Sequence, residues 1–380
     1  MERPPVTSSA HLRVREFNDR RFCELLTEQG PLTRTALARA AGVSKPSALE
    51  VIDRLMAEGL VVETGLDDVV RRGPKAAMFG LSPTLGLATG VEVTGREISV
   101  RHRTFLGEPV GEDHRTALRD DVELDEQILA AVGQGAPRTR YRHWAVVVAL
   151  LGAVDPVTGD VLFARDLPGW HEGIAAAVRR GVRADVSFDN EVNLRATAEL
   201  RTGVATDVSD VLLLALGGGV GAALVLDGRE RRGAHGAAGE IGFLPVAGDQ
   251  GYQEVAGAWT LAHAVGTEHT TDFAWVHDLV AKEPEGGPGW AAVARALGDG
   301  LVGMVTVVDP QVVVLAGEVS RIAGEPLRQA VEAHLAGRLP WTAPEVRVSR
   351  LGNEAVLSGA LLRAAERLRH LAFPGNGTQP

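Results

Sequence analysis

The chain has 380 residues, of which 45% are hydrophobic and 23% charged, so we expect two or three globular domains rather than a disordered chain. One cysteine excludes an internal disulfide and a multi-cysteine zinc site, and no apolar run reaches the length of a membrane span or a secretory signal, which predicts a cytoplasmic protein without a membrane partner. The net charge is −10, yet residues 1–85 hold 12 basic and 11 acidic side chains, so any contact with nucleic acid is expected from a small N-terminal module.

The first 85 residues predict three helices followed by a hairpin of two strands. Threonine and serine stand at two of the helix starts, where their side chains cap free backbone amides. The predicted bounds are residues 12–28, 33–41 and 44–58 for the helices, and 60–62 and 77–81 for the strands. This order is typical of a winged helix-turn-helix, whose third helix enters the major groove of DNA.

The predicted DNA contacts lie at the start of the third helix and on the wing. They are Thr33, Ser44, Lys45, Pro46, Ser47 and Arg54 on the helices, and Arg71, Arg72 and Lys75 on the wing. The basic side chains suit phosphates, and the small polar ones suit base edges. The alternative is a small helical domain that contacts only proteins. Glu50, in the middle of the third helix, favours that alternative mildly because it would repel phosphates.

From Gly86 onwards strands alternate with helices, which predicts an α/β fold. A hairpin over residues 88–100 is expected to turn at Thr94 and Gly95. Further strands are predicted at residues 145–154, 211–216, 222–226 and 312–316, and helices at residues 192–200, 291–308, 326–335 and 356–368, with a loop at residues 281–289.

A glycine-rich stretch, LLLALGGGVGAALVLDG, occupies residues 212–228. In a dinucleotide-binding fold the glycines would lead into a helix, whereas here they lead into a second apolar strand. The stretch therefore predicts a hairpin whose turn holds Gly217, Gly218, Gly219 and Gly221. Such a turn lets backbone amides approach a phosphate.

The continuation of this stretch, LGGGVGAALVLDGRERRGAHGAAGEIGFLPV, closely resembles the signature of the ROK family, named for repressor, open reading frame and kinase. The resemblance also covers residues 154–170, 189–199 and 309–320. It implies a winged helix-turn-helix followed by a two-lobed α/β sugar-kinase domain of the actin-like, ribonuclease-H-like fold. The implied domains are residues 1–85 for DNA binding, 86–205 for the first lobe with a helix at 355–370 returning to it, 206–354 for the second lobe and dimerisation region, and 371–380 for a flexible tail.

The resemblance also shows where this chain departs from the family's kinases. Glu191 stands where they carry a catalytic aspartate, and its extra methylene displaces the carboxylate. In the first phosphate loop the chain has Glu92, a bulky Thr94 in place of a glycine, and Arg96 in place of a small hydroxyl residue, although an arginine can itself hold an anion. We expect no catalytic residue, no enzyme activity and no cofactor.

The resemblance implies a sugar-binding cleft that is partly retained. The residues expected to bind an effector are Asn190, Glu191, Glu240, Phe243 and Glu254. The family's zinc loop is missing, and Tyr252 stands where its last cysteine would be, so no metal is expected. The alternative is a cleft that has lost its ligand.

The sequence thus predicts a DNA-binding regulator, a repressor of carbohydrate-related genes, with operator DNA, a sugar-like effector and further copies of itself in a homodimer or homotetramer as partners. Two alternatives stay open. One is an effector-independent regulator that uses the second domain as an oligomerisation scaffold, and the other is an active sugar kinase that also binds DNA.

Overall fold

The computed structural model describes residues 7–66, 75–135, 140–164, 167–247, 250–267 and 273–373. The chain forms an N-terminal domain, a first lobe and a second lobe, and its last helix returns to the first lobe. The predicted wing residues Arg71 and Arg72 lie outside the described residues.

The N-terminal domain consists of three helices and a small sheet. Its elements are α1 (Thr7–Gln29), β1 (Leu32–Thr33), α2 (Arg34–Ala41), α3 (Lys45–Ala57), β2 (Val61–Leu66) and β3 (Ala77–Leu81). The sheet order is β1-β3-β2, so a short strand before α2 adds a third strand to the predicted hairpin. Thr33 caps α2 and Ser44 caps α3, because each side-chain oxygen accepts a hydrogen bond from a backbone amide three residues later.

The first lobe is built on a mixed sheet in the order β10-β7-β4-β5-β6, in which β7 runs parallel to both neighbours. Its elements are β4 (Gly86–Val93), β5 (Glu97–Thr104), β6 (His114–Ala117), α4 (Leu124–Gly133), β7 (His143–Leu150), β8 (Ala153–Val154), β9 (Val161–Phe163), α5 (Ile174–Gly181), β10 (Asp185–Asn190) and α6 (Glu191–Thr202). Strand β7 is covered on both faces, which explains its continuous apolar sequence. The predicted hairpin β4–β5 is present, whereas β10 was not predicted, because its sequence DVSFDN contains four polar residues.

The second lobe has a sheet in the order β13-β12-β11-β16-β17, with β11, β16 and β17 parallel. Its elements are β11 (Val211–Leu216), β12 (Val220–Leu226), β13 (Arg229–Glu230), β14 (Pro245–Ala247), β15 (Gln250–Gly251), α7 (Tyr252–Ala256), α8 (Ala258–Ala264), α9 (Ala274–Lys282), α10 (Pro288–Val308), β16 (Val312–Ala316), α11 (Gly317–Arg338) and β17 (Glu345–Val348). The loop predicted at residues 281–289 is shorter than expected, because α9 extends through Lys282 and α10 begins at Pro288.

Helix α10 is long and apolar enough to cross a bilayer, and it is the one helix of that kind within the described ranges. It lies in the core of the second lobe, where Trp290, Leu297 and Leu301 are buried among neighbouring helices and strands. Packing inside the protein accounts for the buried face of this helix, whereas Val307 near its end is exposed.

The last helix, α12 (Ala355–Ala372), lies on the first lobe. It packs against β4, β7 and α6, and its Ala360, Ala364 and Leu368 are fully buried. The same apolar cluster includes core residues of α1 and α3. The tail predicted from residue 371 begins too early, because α12 continues to Ala372 and Phe373 is buried.

Candidate functional site

A cleft of about 880 Å³ lies between the two lobes. All five predicted effector residues line it, together with the glycine hairpin of the second lobe. Its polar side chains are Asn190, Glu191 and Arg195 on the first lobe, and Glu240, Gln253, Glu254, Glu318 and Asn353 from the rest of the chain. The predicted glycine hairpin forms, with β11 and β12 antiparallel and residues 217–219 at the turn, but the prediction that Gly221 belongs to the turn is wrong, because Gly221 pairs with Ala215 inside the ladder.

Two glycines hold the cleft wall close to its neighbours. Gly236 has a φ of 70°, and a Cβ there would stand 1.9 Å from the carbonyl oxygen of Val154 on the first lobe. Gly239 has a φ of 95°, and a Cβ would stand 2.0 Å from the carbonyl oxygen of Ala222. Both positions therefore require glycine, and Gly236 sets how closely the second lobe approaches the first.

Asn190 holds the start of α6. Its Oδ1 accepts hydrogen bonds from the backbone amides of Val192 at 2.7 Å and Asn193 at 3.3 Å, and its Nδ2 donates to the carbonyl oxygen of Gly152 at 2.8 Å. Both ends of the amide are thus engaged by backbone. Asn190 fixes where Glu191, the next residue, enters the cleft.

Glu191, which lines the cleft, has a second carboxyl group nearby, that of Glu92 behind the cleft lining. Burial raises the pKa of Glu191, and the nearby charge of Arg195 partly opposes this. Burial, with the charge of Glu191, raises the pKa of Glu92 to about 7. Arg195 was not among the predicted site residues, although it follows Glu191 by four positions, the spacing that places two side chains on one helix face.

Gln253 fixes the position of the glycine hairpin. Its Oε1 accepts a hydrogen bond from the backbone amide of Val220 at 2.9 Å, and within the turn the amide of Gly217 donates to Gly219 at 3.0 Å. The sequence offered no signal for Gln253 beyond its place beside Glu254. Glu254 itself is exposed at the cleft, and Phe243 has a side chain 64% exposed there.

The loop that corresponds to the family's first phosphate loop is closed on itself. The hydroxyl of Thr94 accepts hydrogen bonds from the amides of Arg96 at 3.3 Å and Glu97 at 3.1 Å, and lies 3.1 Å from the carbonyl oxygen of Glu97. Arg96 is exposed and lies outside the cleft lining. The sequence left open that Arg96 holds an anion in the cleft, and its position gives that role no support.

Tyr252 lies in the core rather than in the cleft. It is fully buried, burial raises the pKa of its hydroxyl, and the hydroxyl donates a hydrogen bond to Leu297 at 2.7 Å. In the part of the chain that the structure describes, no three histidine, cysteine, aspartate or glutamate residues are grouped as metal ligands.

At the N-terminal domain, the start of α3 presents the predicted DNA contacts at the surface. Ser44, Lys45 and Pro46 are exposed and Ser47 is half-buried. Lys75 is also exposed, whereas Thr33 is half-buried and its side chain caps α2. This surface can accept a nucleic-acid backbone at a helix N-terminus.

Arg54 occupies a different position from the one expected of a DNA contact. Its guanidinium forms an ion pair with Asp19 of α1, with Nε 2.9 Å from Oδ2, and the side chain of Asp19 is 5% exposed. The guanidinium of Arg54 is held by Asp19 between the two helices. We therefore assign Arg54 to holding α1 and α3 together rather than to contacting DNA.

A family model described as "ROK family" matches residues 90–367, most of the chain. The chain belongs to the ROK family. Its two lobes have the actin-like sugar-kinase fold of that family. A structure of a ROK family transcriptional regulator, described as a homolog of the E. coli MLC protein, aligns with a TM-score of 0.70 at 20% identity over 94% of this chain and 97% of that one.

Among ROK relatives, both repressors and kinases are similar to this chain. The Xylose repressor of Caldicellulosiruptor bescii is 25% identical over 62% of this chain, and the match spans 60% of that protein's length. The Putative xylose repressor of Caldicellulosiruptor sp. (strain Rt8B.4) is 24% identical over 96% of this chain and 98% of its own length. The Glucokinase of Halalkalibacterium halodurans is 27% identical over 71% of this chain and 92% of its own length.

Proposed function

We propose that this ROK protein is a sequence-specific DNA-binding transcriptional regulator, a repressor of carbohydrate-related genes whose operator affinity changes when a sugar-like effector fills the cleft. The observation that carries the proposal is the pairing of two features in one chain. An N-terminal domain exposes the start of α3, and a two-lobed domain keeps an open cleft between its lobes. The similarity to full-length repressors supports the same conclusion.

The N-terminal domain serves as a winged helix-turn-helix. Helix α3 enters the major groove with Ser44, Lys45, Pro46 and Ser47 at its leading end, and the hairpin of β2 and β3 is the wing that carries Lys75. Arg71 and Arg72 belong to the same wing by sequence. Two copies in a homodimer, or pairs of copies in a homotetramer, then read a two-fold related operator.

The two-lobed domain binds its ligand without transferring phosphate. Three observations support this: the closed turn at Thr94, the longer Glu191 in place of an aspartate, and Glu318 lining the cleft. Glu318 is ionised, since its hydrogen bond and ion pair with Arg321 hold its pKa below the usual value, and a carboxylate in this place offers a nucleotide phosphate no attraction. The kinase alternative therefore has the weaker support, and a coupled ADP-release assay over a set of hexoses tests it.

The charge of the cleft selects the kind of effector. Among the described residues that line it, four carry carboxyl groups, Glu191, Glu240, Glu254 and Glu318, and Arg195 carries a guanidinium. Even with Glu191 protonated and Glu318 compensated by Arg321, this described lining is net negative. An uncharged or cationic polyol is favoured over a sugar phosphate, and the exposed ring of Phe243 offers a surface for the apolar face of a sugar.

One observation favours the scaffold alternative, in which the cleft has no ligand. The amide of Asn190 accepts two hydrogen bonds and donates one to backbone groups, so most of its hydrogen-bonding capacity serves the structure and less of it is available to an effector. Glu240→Ala separates the two cases. If the cleft binds an effector, this variant keeps operator binding and loses the response to sugars; if the domain is only a scaffold, it behaves as the unaltered protein towards every compound.

A further inference from the structure

Four charged residues join the first lobe, the second lobe and the last helix in one network. They are Asp189 of β10, Glu230 of β13, Arg232 just after β13, and Arg363 of α12. Arg232 forms an ion pair with Asp189 and donates to Glu230 Oε1 through Nε at 2.7 Å. Arg363 donates through Nη2 to Glu230 Oε2 at 2.5 Å and to Thr197 Oγ1 of α6 at 2.9 Å.

The two lobes enter this network through segments that also form the cleft. Asp189 directly precedes Asn190 and Glu191 on the first-lobe wall. On the second lobe, Arg232 is followed within a few residues by Gly236, which lines the cleft and touches the backbone of Val154. A change in the angle between the lobes therefore acts directly on the ion pair of Asp189 with Arg232.

Arg363 lies on the helix that shares an apolar cluster with the N-terminal domain. It lies on α12 between Ala360 and Ala364, which are fully buried in the apolar cluster that also contains Phe22 of α1 and Ile52 of α3. A shift of α12 is thus transmitted through tightly packed side chains, which resist small displacements.

Because the network is buried, it stabilises one relative arrangement of β10, β13 and α12. The side chains of Asp189 and Glu230 are 3% and 10% exposed, so each carboxylate depends on the two arginines for compensation. Separating a buried charge from its partner is costly, so the segments move together rather than singly.

We propose that Arg363 is the positioning residue that couples the lobe angle at the cleft to the placement of the N-terminal domain on DNA. This inference rests on the proposed function, because it assigns a route for the effector response. It predicts that loss of the Arg363 side-chain charge leaves operator binding and cleft binding in place and removes the effect of one on the other.

The chain contains a matched control for Arg363. Arg367 lies four residues later on α12 and forms an ion pair with Asp185 of the first lobe, at 2.7 Å and 2.6 Å. That pair joins α12 to the first lobe alone. Arg363→Met and Arg367→Met remove similar charges from the same helix and keep the aliphatic part of the side chain.

The test measures operator affinity of the full chain by fluorescence anisotropy, with and without glucose, xylose, N-acetylglucosamine and glucosamine. We expect one of these sugars to change the affinity of the unaltered protein and of Arg367→Met by about tenfold or more, within the usual allosteric range. In Arg363→Met we expect the change to fall below about twofold, while operator affinity without sugar and sugar affinity without operator stay within about threefold. A full response in Arg363→Met overturns the inference and leaves the proposed function standing.

A second arm needs no ligand. Gly236→Ala forces a Cβ against Val154 and so alters the lobe contact. We expect it to change operator affinity in the unaltered background and to have no effect when combined with Arg363→Met. An equal effect in both backgrounds, or none in either, overturns the inference even when no sugar acts. Should Arg363→Met fail to fold, Glu230→Gln replaces it in both experiments with the same expectation, because it removes the carboxylate that pairs with Arg363.

Discussion

The hydroxyl of Tyr252 donates a hydrogen bond of 2.7 Å to the carbonyl oxygen of Leu297, and so ties the start of α7 to the middle of α10. The tyrosine ring also fills the space beside Gly300, where a Cβ would stand 2.5 Å from it. In the family resemblance this position belongs to a zinc loop, which the chain lacks. The buried tyrosine supplies a fixed contact at the same place in the second lobe.

Removal of the Tyr252 hydroxyl is expected to lower stability. Tyr252→Phe loses one buried hydrogen bond, at a cost of about 1 kcal/mol, and Tyr252→Ala also leaves a cavity and costs about 3–5 kcal/mol. Urea unfolding followed by circular dichroism measures both. The chain's other tyrosine, the half-buried Tyr141, provides the control, and Tyr141→Phe should change the free energy of unfolding by less than about 0.5 kcal/mol. Equal effects of the two phenylalanine variants would contradict the assignment.

Lys45 is expected to contact a phosphate of the operator. Lys45→Ala should weaken binding to all DNA sequences alike and reduce the slope of log affinity against log salt by about 1, because one fewer counterion is released. Anisotropy at several salt concentrations measures the slope. Lys282→Ala, an exposed lysine of the second lobe paired with Asp278, is the control and should leave the slope unchanged. An unchanged slope in Lys45→Ala would remove Lys45 from the proposed interface.

Arg54 is expected to act on stability and not on the salt dependence of DNA binding. Arg54→Met leaves the carboxylate of Asp19 buried without its main partner, and we expect a loss of about 2–4 kcal/mol in the free energy of unfolding. The double variant Arg54→Met, Asp19→Asn should recover part of that loss. If the single variant is as stable as the unaltered protein but has a lower salt slope, Arg54 is a DNA contact after all.

Glu92 is expected to make stability depend on pH. Its pKa is about 7 in the folded chain against a usual 4.5, so the folded state holds the proton more tightly and this group lowers stability as pH rises from 4.5 to 7. Glu92→Gln should raise the free energy of unfolding by about 1–3 kcal/mol near pH 8, and the gain should vanish near pH 4.5. Urea unfolding at both pH values checks this. A gain of the same size at both, or none at pH 8, would contradict the burial of that charge; Glu97→Gln, at a partly exposed side chain, is the control.

The parts of this fold that the sequence predicts are those with local causes. Thr33 and Ser44 cap the helices that follow them, and the glycines at residues 217–219 turn between two apolar strands, because each signal lies within a few residues of its effect. The family resemblance predicted the five residues expected to bind an effector, and all five line one cleft.

The remainder depends on residues that are distant in sequence. The ion pair of Arg54 with Asp19 joins residues 35 positions apart, and that of Arg363 with Glu230 joins residues 133 apart. No periodicity in the sequence indicates either pair. The occupied amide of Asn190 was missed for the same reason, since its partner Gly152 lies on a separate segment of the first lobe.

The most direct test of the proposed function is an anisotropy titration of the full chain on DNA from its own promoter region, at fixed salt and about pH 6.5, where the amine of an amino sugar is protonated. The titrants are glucose, xylose, N-acetylglucosamine, glucosamine and glucose 6-phosphate. We expect tight operator binding that an uncharged or cationic sugar changes by about tenfold and that glucose 6-phosphate leaves unaltered, with Glu240→Ala unresponsive. Tight binding that none of these compounds changes would contradict an effector-gated regulator, and release by the sugar phosphate would contradict the charge assigned to the cleft.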